Sequence, residues 1–496
     1  MTLPRRSTAL TTTGLAFALA MALGTGTVHA GAASTGRPGT AAAAAAETSA
    51  PYIVVLADGA DPAALSDRQT RRFRTARKAL FRHALKGYAA ELTATQAAEL
   101  RRDPAVRFVA PERSYQRAES GAPHTAAFPV GPPRTAERCG PAADLTVRQC
   151  LPTWADRIDA EKSSVRSGDG RGPSPDVNVA IVDTGITGDH PDLDVRGGAD
   201  CLSGTPELPG ASLADPLQAG TAKATVIGAE DNDRGIVGVA PGTPLWSVKV
   251  FADDGQAPLD TPLLCALDWL ASTRADADPH NDIAVAHLGF VRTHFFQQAD
   301  DGHCGTTDQD ALHLAVCNTT RAGVTLVASA GSFNVGLAMM APAAYDEVLT
   351  TTAMADFDGK PGGKAAPTCY GEDLSTFGYL DDQAAIRFSD FARSTADRRH
   401  TVAAPGLCLE TAPRPTDPGP ALYAGAGMSA SIATGIAALC VDSGRCGTDT
   451  PAGNVRTLVD DAASHSRHRP GYGFYGDPHR PIRGRFYGPL VSAALY

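Results

Sequence analysis

The chain has 496 residues, 43% hydrophobic and 20% charged, with a formal net charge of −10. That length exceeds one ordinary domain, the composition supplies ample core, and the acidic balance argues against a nucleic-acid binder. The charge is uneven: residues 52–117 carry 13 Lys/Arg against 7 Asp/Glu, and residues 118–496 carry 28 against 46, which suggests a basic segment docked on an acidic body.

The first 30 residues read as a secretory signal. Arg5 and Arg6 precede the short apolar run Leu15–Leu23, and Val28-His29-Ala30 fits a small-x-Ala cleavage site. Residues 31–51, rich in Ala, Gly, Ser and Thr, read as a linker. No other stretch is long and apolar enough for a membrane anchor, and the expected location is extracellular.

Residues 52–117 form a candidate small domain. Strands are expected at Tyr52–Leu56, Gly87–Leu92 and Val106–Ala110. A helix is expected over Thr70–Leu85, and a second over Thr93–Arg101, with Thr93 as N-cap and Gln96 completing a capping box. This is a compact α+β, ferredoxin-like module. Residues 118–150 are rich in Pro and Ala and read as a connector.

In the body, residues 151–465, β-rich apolar runs alternate with helical patterns. Strands are expected at Val177–Val182, Leu245–Phe251, Ile283–Leu288, Val324–Ser329, Val348–Thr352 and Thr401–Ala404. Helices are expected at Thr221–Ala229, Pro262–Ser272, Asp308–Ala322, Met428–Cys440 and Asn454–Ala462. The alternation predicts a doubly wound, mainly parallel sheet, with working residues at the strands' carboxyl ends. That places Asp183, His287 and Ser332 on one rim. Residues 466–496 read as a C-terminal extension.

All 10 cysteines follow residue 138. In an exported chain an even number implies disulfides. Cys139–Cys150, Cys304–Cys317 and Cys440–Cys446 would close short loops. Cys201, Cys265, Cys369 and Cys408 pair among themselves in an order the sequence leaves open.

The string Asn178–Leu193, NVAIVDTGITGDHPDL, delivers Asp183 from an apolar strand into a turn at Gly185. It resembles the aspartate motif of the subtilisin-like serine peptidases (family S8). Other segments share the resemblance, in the family's order. Trp154–Asp159 is similar to the W-G-x-D-R-I entry, and Gly235–Pro241 with Leu245–Val250 to the G-V-A-P segment and the strand after it. Val324–Gly331 is similar to the strand ending in A-A-G-N, Ala341–Asp346 to P-A-A-Y, and Val402–Gly406 to A-A-P-G. The segments YIVVL, ALKGYAAEL and DPAVRFVAPE of residues 52–117 resemble the family's inhibitor-like (I9-type) propeptide, which assists folding and occupies the cleft.

The resemblance implies a catalytically degenerate member. The family's H-G-T-H string is here Ala219-Gly220-Thr221-Ala222, so Ala219 stands at the histidine position. Its G-T-S-M-A string is here Gly425-Ala426-Gly427-Met428-Ser429, so Gly427 stands at the serine position. Ser332 stands at the oxyanion asparagine position. A serine hydroxyl is a weak nucleophile without an imidazole to take its proton. In subtilisin, loss of nucleophile or base costs about 10⁶ in kcat, and loss of the oxyanion side chain about 10²–10³. Asp183, with no imidazole to orient, is expected to be an ordinary acid at the cleft rim.

Three substitutes need weighing. A shifted base has no candidate between His190 and His280, where no histidine occurs. Ser429 is two positions past Gly427 and faces about 200° away on a helix. His287 sits in the strand that resembles the family's S-L-G segment, whose end borders the cleft, and could approach Asp183 as a substitute base. His190, in the H-P-D-L turn, reads as structural. Asp253-Asp254-Gly255 and Glu230-Asp231-Asn232-Asp233 are candidate calcium loops without the spacing of a known motif, so no cofactor is expected. Asn318-Thr319-Thr320 fits a glycosylation acceptor. The expected function is a secreted pseudoprotease that binds polypeptides in a retained cleft. Its partners would be its own prodomain and a polypeptide or related active protease, with neither nucleic acid nor membrane. The alternatives are a serine endopeptidase with a centre rebuilt from Asp183, His287 and Ser429, and a structural scaffold.

Overall fold

The computed structural model describes residues 47–118, 139, 144–145, 149–170, 173–208, 214–293, 298–369, 371–413, 420–447 and 450–496. The expected signal peptide, most of the linker and most of the connector lie outside the described residues.

The N-terminal module is a four-stranded antiparallel sheet with two helices. Its elements are β1 (Ala50–Leu56), α1 (Pro62–Phe73), β2 (Arg77–Phe81), β3 (Gly87–Leu92), α2 (Ala94–Leu100) and β4 (Val106–Pro111). The strand order is β2-β3-β1-β4, the split βαβ arrangement of ferredoxin-like domains. Helix α2 carries the expected capping box between Thr93 and Gln96. The expected helix over Thr70–Leu85 is corrected. The first helix begins earlier, where Asp61 accepts from the Ala63 and Ala64 amides and Pro62 occupies the first turn, and it stops at Arg74 in the left-handed region. The chain then turns into β2, which buries Ala79 and Phe81 and pairs with β3.

The body is built on an eight-stranded sheet. Its elements in chain order are β5 (Asn178–Asp183), β6 (Val195–Asp200), α3 (Ala219–Gly228), β7 (Leu245–Lys249), α4 (Asp260–Thr273), β8 (Ile283–Leu288), α5 (Ala311–Arg321), β9 (Thr325–Ser329), β10 (Val348–Ala355), β11 (Gln383–Ala384), β12 (Thr401–Pro405), α6 (Ala426–Asp442) and α7 (Pro451–His468). The strand order is β11-β10-β9-β8-β5-β7-β6, with β12 also beside β10. All pairs are parallel except β10 with β11. Strand β5 is flanked by β7 on one side and β8 on the other, so successive crossovers diverge around it. That is the switch point where α/β sheets form their clefts.

Helices α3, α6 and α7 cover one face of the sheet, and α4 and α5 cover the other. Strand β6 (VRGGAD) went unread because two glycines break its apolar run; a Cβ on Gly198 would lie 1.7 Å from the Ser247 carbonyl of β7, so close strand approach demands glycine there. The expected boundary at 465 falls inside α7, and the C-terminal residues are part of the body: Phe474, Tyr487 and Leu490 are buried with Ala403 of β12.

The N-terminal module shares a hydrophobic core with the body. Ile53, Val55, Phe81, Leu85 and Phe108 belong to one buried cluster with Leu263, Leu267 and Leu312. The three short-loop disulfides form as expected, and the remaining pairs are Cys201–Cys265 and Cys369–Cys408. Among the described residues no helix is long and apolar enough to cross a membrane.

Candidate active site

Asp183 ends β5 at the switch point, and Gly185 takes a positive φ of 116° in the turn that follows. Helix α3 begins against this turn. A Cβ on Gly220 would lie 2.0 Å from the Gly185 carbonyl and 3.3 Å from the Asp183 Cβ. Asp215 ties the pieces together: its carboxylate accepts from the Thr184 hydroxyl, the Thr221 amide and the Thr221 hydroxyl, each at 2.8 Å. Burial pushes the Asp215 carboxyl up, opposed by these hydrogen bonds.

The structure corrects the expectation for Asp183. It is not an ordinary acid on a rim. It is fully buried, accepts the Thr184 amide at 2.7 Å, and forms an ion pair with Lys223 Nζ at 2.7 Å with neither side chain exposed. Lys223 stands four residues after Ala219, one turn along the same face of α3. The sequence reading missed it.

The other expected residues converge on the same region. Ser332 follows β9, and its hydroxyl accepts the Ala426 amide at 3.2 Å, capping α6. Gly427, the second residue of α6, is buried beside that cap. Behind Ser332, Asp390 accepts the Phe333 and Val335 amides at 3.1 and 2.7 Å. Its other oxygen has no hydrogen-bond partner, and burial pushes this carboxyl up to about 8. A Cβ on Gly331 would lie 2.1 Å from that oxygen, so residue 331 must be glycine.

His287 and Ser429 are not presented to a cleft. His287 is fully buried in β8, with Nδ1 3.3 Å from the Thr434 hydroxyl of α6 and Nε2 without a hydrogen-bond partner. Burial, aided by the Lys223 cation and opposed by Asp183, pushes its imidazole down to about 3, far below the range suited to a general base. Ser429 is fully buried with an unbonded hydroxyl, and a Cβ on Gly406 would lie 2.2 Å from its oxygen. His190 accepts the Asp192 amide at 3.3 Å inside its turn.

The candidate calcium loops are engaged otherwise. Asp253 pairs with Lys249 at 2.6 Å, Asp254 accepts from Gln256, and Asp231 accepts the Gly168 and Gly170 amides. Asn318 lies in α5 and donates to the Ala84 carbonyl at 2.7 Å, so its amide is committed to a protein contact.

The segment leaving the N-terminal module runs along the body as an added strand. Gln116 and Arg117 pair antiparallel with Val291 and Phe290, and the Ala118 amide donates to the Gly289 carbonyl at 3.0 Å. Gly289 adjoins Asp183, since a Cβ there would lie 1.8 Å from Asp183 Oδ2. Glu112 accepts the Thr261 amide and hydroxyl at the start of α4, and Asp268 of the same helix accepts the Arg82, His83 and Ala84 amides.

An acid at the carboxyl end of β5, the start of α3 against it and an extended segment beside the residues that follow β8 make up this end of the sheet. The chain belongs to the subtilase family, whose model (Peptidase_S8) matches residues 174–473. The peptidase inhibitor I9 model matches residues 51–118. Similar curated proteins include the minor extracellular protease Epr of Bacillus subtilis (32% identical over 177 residues, 36% of this chain and 23% of the relative). Subtilisin Savinase of Lederbergia lenta is 31% identical over 206 residues, 41% of this chain and 64% of the relative. The matched stretch thus spans less than two thirds of each relative's length. Among solved structures, fervidolysin from Fervidobacterium pennivorans, a keratinolytic enzyme related to subtilisin, aligns over 90% of this chain and 61% of its own at a TM-score of 0.58 and 19% identity, a likeness of fold.

Proposed function

We propose that this protein is a secreted, catalytically inactive subtilase that holds polypeptide in its cleft without cutting it. The observation that carries the reading is the buried Asp183–Lys223 pair, at 2.7 Å, on the helix that begins with Ala219. In this reading Ala219, Gly427 and Ser332 stand where active relatives have the histidine, serine and oxyanion asparagine. Peptide hydrolysis needs a nucleophile, a base within hydrogen-bond reach and a donor to the oxyanion. Lys223 supports the reading further, because it satisfies the one remaining triad carboxylate from inside the protein.

Polypeptide binding is supported by the strand formed by residues 116–117 on residues 290–291, the β-augmentation mode by which main-chain hydrogen bonds hold an extended peptide. The natural occupants are the chain's own prodomain and a polypeptide of another chain, a related active protease included. Five disulfides among the described residues support an oxidising, extracellular setting.

The purified chain should take no label from a fluorophosphonate probe under conditions that label an active subtilase to completion. Stoichiometric labelling of any serine would overturn the proposal.

A further inference from the structure

A histidine is buried among three carboxylates away from the cleft. His313 lies on α5, its ring stacked on Tyr345 at a centroid distance of 3.9 Å, with its side chain 1% exposed. Nε2 is 3.3 Å from Glu347 Oε2 and 3.8 Å from Asp300 Oδ1. Nδ1 has no hydrogen-bond partner and faces Asp301 Oδ1 at 3.5 Å.

The ring's two nitrogens are therefore in different situations. Nε2 lies within hydrogen-bond distance of Glu347 Oε2, and the buried Nδ1, which has no hydrogen-bond partner, faces the Asp301 carboxylate. A metal cation seated between Nδ1 and Asp301 would bind both and meet the negative charge gathered around the ring. Ligand distances of about 2.0–2.2 Å in a tetrahedral site put neighbouring donor atoms about 3.4 Å apart, close to the observed separation. A carboxylate that orients a metal-binding imidazole from its far nitrogen is a recurrent second-sphere device.

The donors are also held in place. Asp301 accepts the His303, Gly305 and Thr307 amides at 2.8–2.9 Å, and Asp300 accepts the Gly302 and Asp346 amides. The Cys304–Cys317 disulfide pins this loop to α5, one turn from His313 on the same face.

We propose that Asp301 and the Nδ1 of His313, with Asp300 beside the ring, bind a divalent transition-metal cation of the zinc type, with Glu347 as the positioning residue for the imidazole. The nitrogen ligand selects zinc over calcium, which takes oxygen ligands. The cation would clamp the 300–308 loop to α5.

The test uses the full chain, stripped with a chelator and dialysed. Zinc alone, followed by calorimetry, should bind with one equivalent per chain and raise the thermal unfolding midpoint, and calcium at the same concentration should not reproduce this. Cobalt(II) added to the same protein should give visible absorption bands of a nitrogen- and oxygen-ligated site. His313→Gln should abolish uptake, and Glu347→Gln should weaken it about 10–100-fold at unchanged stoichiometry. No stoichiometric uptake by the unmodified chain, which requires no variant to fold, would overturn the proposal. So would undiminished uptake in a folded His313→Gln protein.

Discussion

Lys223 Nζ lies 2.7 Å from Asp183 Oδ2, with both side chains fully buried. The pair sits at the carboxyl end of the central strand, where the fold concentrates its chemistry. Each ion sheds its water at a cost of several kcal/mol, which the partner and further hydrogen bonds offset. Removing one member is therefore much worse than removing both.

Lys223→Met leaves the Asp183 carboxylate uncompensated and should cost about 3–5 kcal/mol. Asp183→Leu with Lys223→Met should recover most of that loss. Urea unfolding of the two single variants and the double variant measures the coupling. Additive losses would show that the two charges do not depend on each other.

On the proposed reading, the pair also sets the conditions for installing a family-type triad. Ala219→His, Gly427→Ser and Ser332→Asn together should give little or no hydrolysis of a peptide ester while Lys223 holds the carboxylate. Adding Lys223→Met should raise the rate at least tenfold over the triple variant, by freeing Asp183 to orient the new imidazole. Equal rates for the triple and quadruple variants would mean that Lys223 is no obstacle.

The shared core predicts that the N-terminal module stays bound after the connector is cut. A specific protease site inserted between residues 119 and 138, once cleaved, should leave two fragments that co-elute on size exclusion. Asp268→Ala removes the acceptor of the Arg82, His83 and Ala84 amides. It should weaken retention by about 1–3 kcal/mol, read as the denaturant concentration at which the fragments separate.

Asp390 supplies a pH test. Burial raises its carboxyl to about 8, against about 4 in the unfolded chain. Between these values the folded state holds a proton that the unfolded state has released. Stability therefore falls as pH rises through this window, by up to about 1.4 kcal/mol per pH unit. Asp390→Asn cannot titrate. Its thermal midpoint should match the parent near pH 4 and exceed it at pH 9. Parallel pH profiles for the two proteins would contradict this assignment.

Much of the fold was legible in the sequence, for physical reasons that also explain what was not. Strands β5, β8 and β9 are continuous apolar runs because both faces of the sheet are covered, and Thr93 with Gln96 announces α2. The stretch 70–85 misled because Arg and Lys interleaved with apolar residues suit a helix as well as an edge strand. The left-handed turn at Arg74, which ends α1 and lets β2 begin, has no glycine to mark it. Within the proposed site, Asp183, Ala219, Gly427 and Ser332 are positions that the motif strings single out. Lys223 was not read, although it is the single charged residue of helix Ala219–Gly228, and a lone charge among small apolar residues signals a buried partner. Asp215 and Asp390 act through loops, which carry no periodic pattern.

The proposed inactivity is tested most directly by the mass and N-terminal sequence of the protein secreted by a host lacking other extracellular proteases. The expected result is one chain in which residues 52–117 remain covalently joined to the body. A new N-terminus between residues 118 and 150, produced by the purified protein alone, would contradict it.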